Sequence, residues 1–544
     1  MEGKDLPARP NLEPYKKQAK ELVRACHAGD SASIERIAKQ RRGWDKGKVS
    51  LADAQFTIAH EHGFESWPKF AKHVEAVSRK WKVASLADPY DAFLRAACVP
   101  RDAWHASGTL DEAEAVLKVY PEAANRDIHA AAILGDEARV RRWIAIDAKS
   151  ATAKGGPYGW DALTHLCFSR YLRLDRKRCE GFVRAAKVLL DAGANANTGW
   201  MENEHEPRGT WESAIYGAAG VAHQAELTGL LLEYGADPND DETPYHVPET
   251  NDNAALKVLV ESGRLTKNSL ATILLRKTDW HDYEGIKWLL ERGVDPNRGT
   301  RWGKTAIHNA VLSDNAIEIF EVLMDHGADP TLVAPRSERL PSAPPRSAVA
   351  MAARRGRRDV LELFGCHGVS TDLPGIDGLI AACAMNDVAR VHAIAKSESQ
   401  LVRELLEEGG KLLAQFAGGG NTEGVEQLLG LGVGVNALFE EGDGYFDVAK
   451  SSTALHVAAW RARHDTVKLL LERGATVDAK DGKERTALVL AVRACLDSHW
   501  KERRSPESVR MLLEAGAPLS AVEYPTGYAE VDELLRAHGA KGSV

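Results

Sequence analysis

One ten-residue phrase recurs along the chain and leaves it few folds to choose from. It reads VLLDAGANAN from 188, LLLEYGADPN from 230, WLLERGVDPN from 288, VLMDHGADPT from 322, LLLERGATVD from 469 and MLLEAGAPLS from 511. The leucines mark the buried stripe of a short helix, and the glycine supplies a left-handed C-cap that ends it. Asp-Pro or Asn then prevents continuation. The same glycine recurs at Gly193, Gly235, Gly263, Gly293, Gly327, Gly368, Gly432, Gly474, Gly516 and Gly539. The 64-residue gap between Gly368 and Gly432 is close to two periods and predicts a degenerate helical pair, Leu379 to Asn386 and Val388 to Ala395. About twenty residues before each phrase lies a second pattern, seen as IHAAAILG from 128, VAMAARRG from 349 and LHVAAWRA from 455. Its small alanines let helices approach closely, and Thr243, Thr305, Ser347, Thr453 and Thr486 stand where a hydroxyl caps free backbone N–H groups.

Two helices, a glycine stop and a turn, repeated at roughly 33 residues, resemble the ankyrin repeat. Its T-P-L-H motif survives as TPYH at 243, TAIH at 305 and TALHVAA at 453. The resemblance runs from about residue 90 to the end, with fainter units at Leu22 to Ala38 and Phe93 to Ala115. It implies an all-α helical solenoid of about thirteen helix–turn–helix units, closed by a half-repeat cap from Tyr528 to Gly542. It further implies that His246, His308 and His456 hydrogen-bond within and between repeats, and that Cys26, Cys167 and Cys383 fill small-residue core positions.

Residues 1–82 read as a basic helical leader, with 17 Lys+Arg against 11 Asp+Glu, and residues 83–544 as the array. Within the leader, residues 50–77 read as two helices broken at Gly63-Phe64, with Trp67-Pro68 opening the second. This stretch looks like a leader that precedes ankyrin arrays in some bacterial proteins. Several departures from the pattern are expected to show. Pro248 should shorten the first helix of its unit, and insertions stand at Val99 to Thr109, Ser169 to Glu180 and Asp497 to Ser508. The Pro-, Ser- and Arg-rich segment from Pro335 to Ala348 predicts a flexible break, cleaved first near Arg336 or Arg339.

Composition places the chain among folded globular proteins, with 44% hydrophobic and 27% charged residues and a net charge of −8. Its start carries charge and proline where a secretory signal needs an apolar core, and no apolar run approaches the ~18 residues of a membrane span. The expectation is a cytoplasmic monomer. Seven cysteines without a C-x-x-C pair argue against a disulfide framework or a zinc knuckle, so stability to chelators and mild reductant is expected.

Catalytic signatures are missing from the sequence: it holds no phosphate-binding glycine loop, no H-E-x-x-H and no G-x-S-x-G. No cofactor, metal or catalytic residue is assigned. The one tight cluster of metal-ligating types, Glu202, Glu204, His205 and Glu206, reads as a solvated acidic loop. A repeat array binds through its turns and first helices, and the turns here are aromatic: Tyr158 and Trp160, then Trp200 and Trp211 around an insertion, Trp302, and Phe439, Tyr445 and Phe446. Either these rings are exposed anchors for a protein partner, or each folds back to cover its own loop; Trp160, beside a helix start, is the one expected to be buried. The candidate binding residues are Tyr158, Trp200, Trp211, Arg301, Trp302, Phe439, Tyr445 and Phe446. Within them Trp200, Trp211, Arg301 and Trp302 are the expected centre, with Glu202, Glu204 and Glu206 against Arg208 on one turn and Arg298, Arg301 and Lys304 on another. The function expected is that of a scaffold or adaptor for a protein. The second reading is a nucleic-acid or polyanion binder using Arg170, Arg173, Arg176, Lys177 and Arg178 and the cluster Arg354, Arg355, Arg357 and Arg358, which the acidic body disfavours.

Overall fold

The computed structural model describes residues 4, 6–7, 10–40, 49, 51–203, 209–334, 345–498 and 500–540. The chain divides into two compact units, residues 1–280 and 281–542.

The first unit opens with four helices, Leu12–His27, Ser31–Gln40, Leu51–Glu61 and Trp67–Ala84. They enclose a core of their own around Phe70, whose ring meets Tyr15, His62, Phe64 and Trp67 at 5.1 to 5.5 Å. The break between the third and fourth falls at Gly63, with φ +81°. Antiparallel pairs follow: Pro89–Ala97 with Asp111–Val119, Ile128–Ile133 with Glu137–Ile146, and Ala162–Cys167 with Cys179–Asp191. The insertion after Cys167 carries a short helix, Arg170–Leu174. The next first helix is Ala214–Tyr216 continued by a wide turn over Gly217–Val221, ahead of Ala225–Glu233. As Pro248 requires, the helix Glu242–His246 stops two residues short of it, before Ala254–Glu261 and Lys267–Asp279.

The second unit begins with Tyr283–Glu291, then pairs Ala306–Leu312 with Ile317–Asp325, Ala348–Arg354 with Arg358–Cys366, Gly375–Ala384 with Val388–Ser397, Gly409–Gly419 with Thr422–Gly430, Ala454–Trp460 with His464–Glu472, and Ala487–Asp497 with Glu507–Glu514; Ala529–Ala537 closes it. The hidden pair in the long gap is present, followed by a third helix, Ser399–Glu407, that sequence periodicity does not announce. Residues 335–344, with Arg336 and Arg339, lie outside the described residues. The two flanks of that segment meet, Val333 bridging Ser347 and the Ala334 amide donating to the Arg346 carbonyl at 3.3 Å.

The recurring phrase acts as it reads. In Tyr283–Glu291 the buried residues are Gly285, Ile286, Leu289 and Leu290, and the chain leaves through Gly293 at φ +78°. Its closing asparagine does more than stop the helix. Asn297 donates to the Gly327 carbonyl at 2.7 Å and accepts from the Asp329 amide at 2.7 Å, clasping the next repeat's turn. Asn197 does the same with Gly235 and Asp237 at 3.1 and 2.8 Å. His308 and His456 each bond the capping threonine through Nδ1 and a carbonyl of the following turn through Nε2. Cys26, Cys167 and Cys383 are buried. Among the described residues no helix is long and apolar enough to cross a membrane.

Candidate protein-binding surface

The insertion between the helices ending at Asp191 and beginning at Ala214 folds into an antiparallel hairpin, β1 (Gly199–Glu202) on β2 (Thr210–Ser213). Cross-strand partners share a face, so register sorts the side chains. Trp200 faces Glu212 and both point inward, whereas Met201 faces Trp211 and both point outward. Trp211 is 41% exposed and Met201 45%.

Trp200 was expected as a surface anchor, and the structure corrects this. It is 4% exposed and stacks on the buried Trp160 at 5.3 Å. The Arg101 guanidinium lies 5.0 Å from its centroid and 5.2 Å from that of Tyr158, which in turn packs on Trp160 at 4.8 Å. The reason is parity: in a two-residue alternation one position faces the core and the next faces water. Phe439 and Phe446, likewise expected as anchors, are 5% and 8% exposed and belong to the interior. Exposed on that segment instead are Leu438 at 44% and Tyr445 at 53%. Arg301 is exposed beside the half-buried Trp302, its guanidinium 4.8 Å from the ring. Trp200 and Trp211 lie in the first unit, and Arg301 and Trp302 in the second.

Beneath the hairpin lies a polar set that sequence reasoning missed. Glu212 is 1% exposed, and burial, with Glu242 and Glu202 nearby, pushes its carboxyl up to about 9. His105 approaches it at 3.9 Å and hydrogen-bonds the Tyr216 hydroxyl at 2.8 Å. Departing from the resemblance, His246 sits between Glu242 at 3.1 Å and Glu249 at 3.2 Å. Burial opposes its charge, but the two carboxylates outweigh burial and lift it to about 9. The set lies on the inner face of the hairpin. The signal for it was the spacing Trp200, Glu202 against Glu212, which places acids at inward positions. Of the acidic loop, Glu202 is buried, and Glu204, His205, Glu206 and Arg208 lie outside the described residues. Among the described residues no group of three or more His, Cys, Asp or Glu side chains is arranged to hold a metal ion.

Most arginines of the basic runs are engaged within the chain, while Arg176 and Lys177 are exposed. Arg170 donates to the Ala96 carbonyl at 2.9 Å, and Arg173 to the Ser107 and Gly108 carbonyls at 3.1 Å. Arg354 holds Asp377 and Glu408, Arg357 holds Asp314 and Asp359, and Arg358 holds Glu362.

Two family models, both described as ankyrin repeats, match this chain at residues 349–481 and 413–522 and at residues 289–340. The His–Thr turns of His308 and His456 fall inside those stretches. Those stretches are ankyrin repeats. A stretch of 74 residues is 40% identical to serine/threonine-protein kinase 12 of Arabidopsis thaliana, covering 14% of this chain and 14% of the kinase. Another of 78 residues is 38% identical to cyclin-dependent kinase 4 inhibitor B of Bos taurus, covering 14% of this chain and 53% of the relative. The chain thus matches about one seventh of the first relative's length and about half of the second's. Among solved structures the human ASB11 ankyrin repeat domain aligns over 51% of this chain and 98% of its own, at 23% identity and a TM-score of 0.22.

Proposed function

We propose that this chain is a non-catalytic binding module that holds a protein partner on the outward face of the hairpin at residues 199–213, with Trp211 and Met201 as the central contacts. One observation carries the reading. Met201 and Trp211 are cross-strand neighbours, both more than two-fifths exposed, on a strand pair whose other face is fixed by Trp200, Trp160 and Arg101. A large apolar pair held on a rigid base presents contact area without an ordering cost, which is what an interface centre requires. Tyr158 is a subsidiary contact in the same unit; Arg301 with Trp302, and the exposed Leu438 and Tyr445, are separate candidates in the second unit. The likeness to a protein named as a kinase inhibitor supports a protein as the partner class. The polyanion reading draws less support, because Arg170, Arg173, Arg354, Arg357 and Arg358 are already spent within the chain.

The test is capture of partners from the native host, followed by affinity measurement with the purified candidate. Trp211→Ala should weaken binding by about 2 kcal/mol or more, roughly thirtyfold, with the thermal melt unchanged. Binding within twofold of wild type would remove the hairpin from the interface and leave the Leu438–Tyr445 segment as its replacement.

A further inference from the structure

Within the second unit, the junctions between first and second helices bring five arginines together: Arg355 and Arg357, Arg461 and Arg463, and Arg503. Their common centre is Asp314, 6% exposed, which accepts from Arg357 at 2.8 Å and from Arg461, with Arg463 at 3.7 Å. Asp314 and Asp443 are the inward carboxylates, and Arg355 reaches Asp443 only at 3.4 Å. The other acids that touch the set, Asp359 and Glu502, have 52% and 69% of their side chains in water. Positive charge is therefore in excess where burial makes it costly. Two guanidinium nitrogens confirm the imbalance: buried Arg461 Nε and Arg503 Nη1 have no hydrogen-bond partner. Burial, then Arg503 and Arg461, pushes Arg463 down to about 9.

A small cleft opens onto this excess, lined among others by Arg355, Arg461, Gln415, Asp443 and the ring of Phe446. The Arg461 guanidinium lies 4.5 Å from the Phe446 centroid and that of Arg355 5.6 Å, so the ring orients both. Paired guanidinium forks match planar oxyanions. Beside Asp314 and Asp443, a singly charged carboxylate meets less repulsion than a doubly charged phosphate.

We propose that this cleft is a carboxylate-binding site, which takes an acidic side chain of a protein between Arg355 and Arg461 with Phe446 against its methylenes. It is separate from the hairpin and stands or falls independently of it. The test uses the full chain and fluorescence anisotropy with a labelled hexaglutamate peptide, hexaglutamine serving as control. Hexaglutamate should bind in preference. Arg355→Gln should weaken it tenfold or more, Asp443→Asn should tighten it by removing a repelling charge, and Arg184→Gln, an exposed arginine of the first unit, should leave it unchanged. Thermal melts verify folding of each variant. Free glutarate should displace the peptide at lower concentration than inorganic phosphate. Absence of binding, equal binding to Arg355→Gln, no gain in Asp443→Asn, or stronger displacement by phosphate would each overturn the assignment.

Discussion

Glu212 and His246 together make the folded state sensitive to alkali. The Glu212 carboxyl rises from 4.5 to about 9 on folding, so between those values the unfolded chain releases a proton that the folded one retains. His246 rises from 6.5 to about 9, so its contribution is complete below 6.5 and is lost as pH rises through 9. Both signs agree, and stability should fall between pH 6.5 and 9. Replacing the acid by its amide keeps the shape and removes one of the two titrations: Glu212→Gln should melt higher than wild type at pH 8 and show a shallower decline from pH 6.5 to 9. Thermal melts across that range decide it, and parallel curves for the two proteins would refute the assignment of the slope to Glu212. At this scale the sequence was partly legible. His308 and His456 act as the T-P-L-H resemblance implies, because their partners are local and set by the turn. His246 was read only through the resemblance, although Glu242 stands four residues before it and Glu249 three after, a spacing at which side chains meet.

At the scale of the element, the hairpin divides two tryptophans eleven residues apart into unlike roles. Trp200 is part of the first unit's core and Trp211 part of its surface. Truncation of a buried aromatic leaves a cavity and typically costs ~3 to 5 kcal/mol, whereas an exposed change away from special features stays within about 0.5 kcal/mol. Trp200→Ala should therefore lower the urea midpoint markedly and Trp211→Ala hardly at all. Equal stability of the two variants would mean that the register seen here is not the one in solution. The aromatic turns were visible in the sequence, and whether each ring faced in or out was not. That choice rests on which strand pairs with which, and the partner strand begins eight residues beyond the end of the first.

For the whole molecule, the division between residues 280 and 281 predicts more than one unfolding transition, since a repeat array couples mainly through neighbours. Hydrogen exchange followed by mass spectrometry should show the protection of residues 267–279 and 283–291 grouped with different transitions. Loss of protection at one common denaturant concentration along the whole chain would exclude the two-unit description. The sequence by itself determined the repeating helix pair, its glycine stop, its capping threonines and the resemblance to ankyrin repeats. Each of these depends on contacts within one repeat or with the next, so a periodic pattern of some 33 residues encodes them. Only the tertiary structure decided that Trp200 is core, that Arg170, Arg173, Arg354 and Arg357 are engaged within the chain, and that Arg461 meets Asp314 across 147 residues. The Arg461–Asp314 contact joins the junctions of repeats that are not sequence neighbours. Its geometry depends on how each repeat is rotated on the last, and no local pattern of residues records that rotation.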